Sequence, residues 1–257
     1  MKLFLIVLAL MSALAAPTDL APTGTLRASF LATNPVQGRV DTRTGEVTGP
    51  VADLVRELAA RHKVPYKLMP VPDAAAVIET VRSGSADIGF LAYEAARAAQ
   101  VDFSTPYALM GNAYLVRADS PIARSADVDR AGITVAAVKG QSQEIFVSAN
   151  LKNARIQVMS DMPANDALVA MLIDRRIDAF AANRQRMTEA ARTSPQVRVL
   201  TDDFFVVGQA LVVPKGSRAR LEELNRFVAD VRRSGFMRAS LDRAGLGIIQ
   251  VAPADAH

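Results

Sequence analysis

Strand-like and helix-like segments alternate along nearly the whole chain beyond residue 24, and that rhythm restricts the fold more than any single motif. Thr25 to Leu31 reads as a strand. Pro50 opens a helix in which Val51, Leu54, Val55 and Leu58 recur at helical spacing, with proline well suited to the first turn. Val64 to Val71 predicts a second strand, Ala74 to Arg82 a helix stopped by Ser83-Gly84, and Asp87 to Ala92 a third strand. That third strand is apolar on both faces, as a central parallel strand covered by helices should be. The grammar then repeats. Ile133 to Val138, Ile156 to Met159 and Ile177 to Ala182 read as strands, separated by helices at Ser142 to Asn150 and Ala164 to Asp174.

Strands alternating with helices imply mostly parallel sheets with helices on both faces. Two such units are visible, from Gly24 to about Met110 and from Ala131 to about Asn183. An apolar segment, Ala113 to Pro121, joins them. A second, Phe204 to Pro214, runs into a final amphipathic helix carrying Leu221, Leu224, Phe227, Val228 and Val231. If both segments cross between lobes, the chain enters the second lobe near residue 113 and returns near residue 210. Two crossing strands make a hinge, and hinged lobes suit closure around a ligand.

The first residues set the expected compartment. Lys2 supplies a positive start, Leu3 to Leu14 is an apolar run broken only by Ser12, and Ala13-Leu14-Ala15 carries the small residues of a cleavage site. The run is shorter than the roughly 20 apolar residues of a membrane span, so a signal peptide over residues 1–15 is expected. No cysteine follows to take a lipid, and the mature chain is expected free in the periplasm. With no cysteine anywhere there is no disulfide or thiolate chemistry. A chain of 257 residues buries enough core to do without them.

Composition also narrows the partners. The 30 Lys and Arg against 26 Asp and Glu are interspersed along the helices, as on solvated faces. Without a basic patch, and with four Tyr and no Trp, a nucleic-acid partner is not expected. Two histidines and no thiols give no metal-ligand spacing, and neither metal nor cofactor is expected.

Several motifs in order carry a resemblance. Gly45 to Arg61 has a Gly-x-x-x-Gly-x-x-x-Asp-Leu helix entry, and Val81 to Asp87 reads Val-Arg-Ser-Gly-Ser-Ala-Asp. Arg97 to Tyr107, Arg-Ala-Ala-Gln-Val-Asp-Phe-Ser-Thr-Pro-Tyr, is the most specific piece, continued by Leu115 to Ile122. Weaker echoes follow at Val138 to Glu144, Arg176 to Ala179 and Leu221 to Gly235. Together they resemble the bacterial family 3 extracellular solute-binding proteins. The resemblance implies an α/β, two-lobed periplasmic binding protein fold of type 2, each lobe a mostly parallel sheet with helices on both faces, joined by two hinge crossovers. Lobe 1 would comprise residues 16–112 and 211–257, lobe 2 residues 113–210, with the ligand cleft between them. It also implies a monomer that delivers its solute to an ABC permease in the inner membrane.

The resemblance places the site. Arg97 occupies the family position that grips a ligand's α-carboxylate, and a guanidinium fork matches a carboxylate bidentately while staying charged. Gly140-Gln141-Ser142 lies between a strand and a helix start, where backbone N–H groups can hold an anionic oxygen. Ser142 matches a carboxylate-contacting hydroxyl of the opposing lobe. Ala92, Phe90 and Tyr93 belong to the segment between Asp87 and Arg97, which is shorter than the family pattern, and Tyr93 is expected to offer a replacement ring and hydroxyl. Asn183 stands where amino-acid binders place the acid that holds the ammonium. An amide can accept from an ammonium but brings no charge to compensate it. Asn34 and Ala74 replace the aromatic residues that sandwich a side chain. The expected ligand is therefore a carboxylate-bearing solute, an amino acid or an amino-acid-like organic acid such as a keto, hydroxy or aromatic acid.

Two other functions fit the same fold. Cyclohexadienyl dehydratases carry out eliminations with an acid in the cleft, and Glu94 and Glu144 flank the expected site although Asn183 is no acid. A ligand sensor that touches a receptor is the other. Sensor domains of this fold are usually followed by a membrane span, and none is expected before His257. Neither displaces the expectation of a non-enzymatic binding protein.

Overall fold

The computed structural model describes residues 18 to 256, so the expected signal peptide and its cleavage site lie outside the described residues. The chain opens with β1 (Leu26–Leu31), the hairpin β2 (Arg39–Val40) and β3 (Val47–Thr48), helix α1 (Pro50–His62), β4 (Tyr66–Val71), α2 (Ala74–Arg82) and β5 (Ile88–Ala92). One helical turn, α3 (Ala95–Ala98), and β6 (Val101–Phe103) lead into the long β7 (Ala108–Arg117). The second unit contains β8 (Thr134–Val138), α4 (Ser142–Asn150), β9 (Arg155–Met159), α5 (Asn165–Ile173), β10 (Ala179–Asn183), α6 (Arg184–Arg192) and β11 (Val197–Val199). The chain returns through β12 (Phe205–Pro214) to α7 (Arg218–Arg233), α8 (Phe236–Arg243) and β13 (Gln250–Val251).

Local chemistry sets the helix ends. Gly49, at φ 108°, turns the chain into α1, and Lys63 ends it in the left-handed region at φ 55°. Asp73 caps α2 by accepting from the Ala76 N–H at 2.8 Å, which satisfies a donor the helix itself cannot. Among the described residues no helix is long and apolar enough to cross a membrane.

One sheet runs in the order β4-β1-β5-β12-β7-β10-β8-β9. Its outer strands are parallel, β1 with β4 and β5, and β8 with β9 and β10. The two central strands are antiparallel to each other and to their outer neighbours. Each changes partner along its length. β7 pairs with β12 over Ala108 to Asn112 and with β10 from Asn112 to Val116, while β12 leaves β7 for β5 at Gln209. The ribbon of β7 and β12 is therefore the passage between two α/β halves.

The first crossing segment differs from its expected position at Ala113 to Pro121: the strand runs from Ala108 to Arg117. Gly111-Asn112 looks like a break in sequence, yet both residues serve the strand. A Cβ at Gly111 would sit 2.2 Å from Asp203 Oδ2, so glycine is there for close approach and not for a turn. The buried Asn112 side chain donates to the Met110 and Phe205 carbonyls and accepts from Gln143 Nε2 on α4.

Apolar burial follows the same division. Leu54 and Leu58 of α1 pack with Phe30, Phe90, Phe227 and Val231 on one face of the first half, and Val77, Val81 and Leu91 fill the other. In the second half Leu115, Leu168, Phe180 and Met187 form one cluster, and Tyr114, Val135, Val147 and Leu200 form the other. Each such fully buried side chain contributes roughly 1.5–3 kcal/mol.

Candidate ligand-binding cleft

The ends of the parallel strands meet in the middle of the molecule, where open α/β sheets place ligands. Asn34 and Gln37 follow β1, Ala74 follows β4, Ala92 and Arg97 follow β5, Gln141 to Gln143 follow β8, Met162 follows β9, and Asn183 ends β10. With Leu31, Thr33 and Met110 they line a cavity of about 40 Å³. That is room for about three waters.

Arg97 is 7% exposed and is held by two carbonyls. Nη1 donates to Ala92 O at 2.9 Å, and Nη2 reaches across the cleft to Gly140 O at 2.8 Å. A guanidinium has five N–H donors, so three remain available. Burial pushes its pKa down, and the charge of Glu94 pulls it back up. Guanidinium starts so high that it remains charged at any working pH.

Across the cavity stands the first turn of α4. Gly140 adopts φ 72°, and no side chain caps the turn. Its leading N–H groups are therefore free for an anion, reinforced by the helix dipole. The Ser142 hydroxyl is buried and has no hydrogen-bond partner among the described residues. An unpaired buried hydroxyl costs roughly 1–3 kcal/mol, which a ligand oxygen would recover.

The amides are partly committed. Asn183 caps α6, its Oδ1 accepting from Arg186 N at 2.8 Å, and Asn34 Oδ1 accepts from Val36 N at 3.1 Å. Gln37 is spent at both ends, accepting from Leu31 N and donating to Phe90 O. It locks the loop after β1 against β5. The acceptor role open to Asn183 from sequence is thus shared with its cap, which leaves that oxygen one further lone pair.

Seven of the nine residues singled out from sequence border the cavity: Arg97, Ala92, Gln141, Ser142, Asn183, Asn34 and Ala74. Two do not. Phe90 is fully buried in the core, edge-on to Tyr107, because β5 is covered on both faces. Tyr93 turns outward just past the strand, 53% exposed and edge-on to Phe103, into a separate groove shared with Glu94, Phe146 and Phe205. Leu31, Thr33, Gln37, Met110, Gln143 and Met162 border the cavity as well and were not expected there. Gln143 directly follows Ser142 on the helix entry and was within reach of that signal; the others carry none.

Neither flanking carboxylate borders the cavity. Glu144 turns back to accept from Gly140 N and Ser148 Oγ, and Glu94 lines the Tyr93 groove. Two further links join the halves: Arg39 to Glu189 at 2.6 Å, and the Gln143–Asn112 amide pair.

Solved structures place this architecture among known proteins. A variant of ArgBP from T. maritima is 22% identical with a TM-score of 0.73, covering 88% of this chain and 97% of that one. AncCDT-1, an ancestral amino-acid-binding protein described as a precursor of cyclohexadienyl dehydratase, is 23% identical with a TM-score of 0.73, covering 88% and 96%. AbpA from Streptococcus pneumoniae, bound to L-arginine, is 21% identical with a TM-score of 0.72, covering 86% and 94%. These likenesses show the two-lobed fold. No curated protein sequence matches the chain. Residues 26–245 match the family of bacterial extracellular solute-binding proteins, family 3, and with most of its length inside that match the chain belongs to this family.

Proposed function

We propose that the chain is the exported solute-binding component of an ABC importer, taking a small carboxylate-bearing solute between two lobes that close over it. Lobe 1 comprises residues 16–112 and 211–257 and lobe 2 residues 113–210, with β7 and β12 as the hinge. The observation that carries the reading is the pairing of buried Arg97 with the partnerless Ser142 hydroxyl and uncapped α4 turn across one cavity. A cation on one wall and free donors on the other suit a carboxylate held from both sides. AbpA, bound to L-arginine, and AncCDT-1, described as an amino-acid-binding protein, support an amino-acid-like solute.

The dehydratase reading gains a structural neighbour in AncCDT-1. Among the described residues, however, no carboxylate borders the cavity, and elimination chemistry needs a proton donor there. Calorimetric titration with small acids and their neutral amides tests the proposal. Acids are expected to bind and their amides to bind at least about a hundredfold more weakly. Equal binding of both, or turnover of prephenate or arogenate, rejects it.

A further inference from the structure

Beside the cavity, and separate from it, an open groove is lined from both halves. The segment after β5 and helix α4 each serve both places: Ala92, Arg97 and Ser142 border the cavity, while Tyr93, Glu94, Phe146 and Ala149 border the groove. Residues 142, 146 and 149 share one face of α4, so the groove continues along the helix from the cavity. The ribbon adds Phe205 and Val206 of β12. Most of this lining is apolar, and part of it is uncovered. Tyr93 and Val206, at 53% and 54%, are two of the six large apolar side chains that stay exposed among the described residues, and both lie here. Exposed apolar side chains gathered in one concavity mark a place where something binds.

Charge narrows the occupant. Among the described residues, Glu94 is the one charged side chain that lines the groove. It acts on Arg97 only through space, and Arg97 is itself turned into the cavity, onto Ala92 O and Gly140 O. The other polar side chains of the groove are neutral. Ser104 Oγ donates to Thr105 O and accepts from Leu211 N, and Asn150 gives its NH₂ to Phe146 O, which leaves Asn150 Oδ1 and the Tyr93 hydroxyl able to accept. The rings act in the same sense. Phe146 and Phe205 stack with centroids 4.6 Å apart, and an aromatic face attracts a cation. A carboxylate, neutral acceptors and ring faces within apolar walls suit a positive charge carried on an apolar body. We infer that the groove is a second ligand site, taking a small monovalent organic cation with an apolar body, such as an arylalkyl ammonium, with Glu94 as its counter-charge.

Calorimetry on the wild-type protein at neutral pH, with phenethylamine and with the uncharged 2-phenylethanol, tests the assignment. The amine is expected to bind, and the alcohol to bind at least about fivefold more weakly, since the charge is what separates the two. Glu94→Gln should weaken amine binding by about fivefold or more and leave the alcohol unchanged. Val206 is more than half exposed, so Val206→Arg should keep the fold while setting a cation in the groove, and it should abolish amine binding. Four results would each overturn the inference: alcohol binding as tight as the amine's, Glu94→Gln without effect on the amine, amine binding that survives Val206→Arg, or no amine binding at millimolar concentration.

Discussion

The two walls of the cleft solve different problems. The first-half wall holds the charge: Arg97 is buried, pinned by Ala92 O and fixed beside a loop that Gln37 locks in place. Among the described residues, the second-half wall holds no full charge and presents neutral polar groups, the Ser142 hydroxyl, the first turn of α4 and the Asn183 amide. The difference separates attraction from closure. One wall can capture an anion while the cleft is open, because a guanidinium needs no partner wall to attract a carboxylate. The other wall adds short-range bonds that form only when the halves meet, so its bonding energy is available to drive closure.

The contrast can be broken residue by residue. Arg97→Ala should have the largest effect, up to about 5 kcal/mol in ligand affinity, because it removes the charged side of a desolvated pair. Titration of the variant with the preferred acid measures it.

The next effect concerns folding and compares the halves directly. Asp87 and Asp178 each precede the central strand of their half and accept the N–H at the start of a neighbouring strand, Arg27 or Thr134. Asp87 is 1% exposed and also takes Arg27 Nε at 3.0 Å and Nη2 at 2.7 Å. Asp178 is 26% exposed, with Arg117 no nearer than 3.7 Å. Chemical denaturation should show Asp87→Asn costing about 3 kcal/mol and Asp178→Asn about 1 kcal/mol.

Ser142→Ala should weaken ligand binding by about 1 kcal/mol while leaving the unfolding midpoint of the ligand-free protein unchanged or slightly raised, since the hydroxyl has no partner to lose. The smallest effect belongs to the Arg39–Glu189 link. Its arginine is mostly exposed, and Glu189→Gln should lower affinity by at most about 0.5 kcal/mol, a difference that fades as salt is raised.

The elements that sequence located well are those whose periodicity faces one buried layer. α2 and α4 run over the residues the pattern marks, and β5 stops at Ala92 as expected. The crossing strand β7 was misplaced because Gly111 and Asn112, both breakers by type, are used for close packing against Asp203 and for bonds inside the ribbon. At the site, the family resemblance pointed to Arg97 and Ser142, the one through the motif it opens and the other through its position at a helix entry. Phe90 and Tyr93 were placed at the cavity for want of any signal telling a strand buried on both faces from one edging a cleft. The cap made by Asn183 was invisible for another reason: its bond from Arg186 N exists only once α6 has formed.

A crystal structure of the protein with its tightest-binding small carboxylate tests the central claim most directly. The account predicts both carboxylate oxygens within about 3 Å of the Arg97 guanidinium, one of them also taking the Ser142 hydroxyl. A ligand bound elsewhere, with Arg97 still bonded only to Ala92 O and Gly140 O, would contradict it.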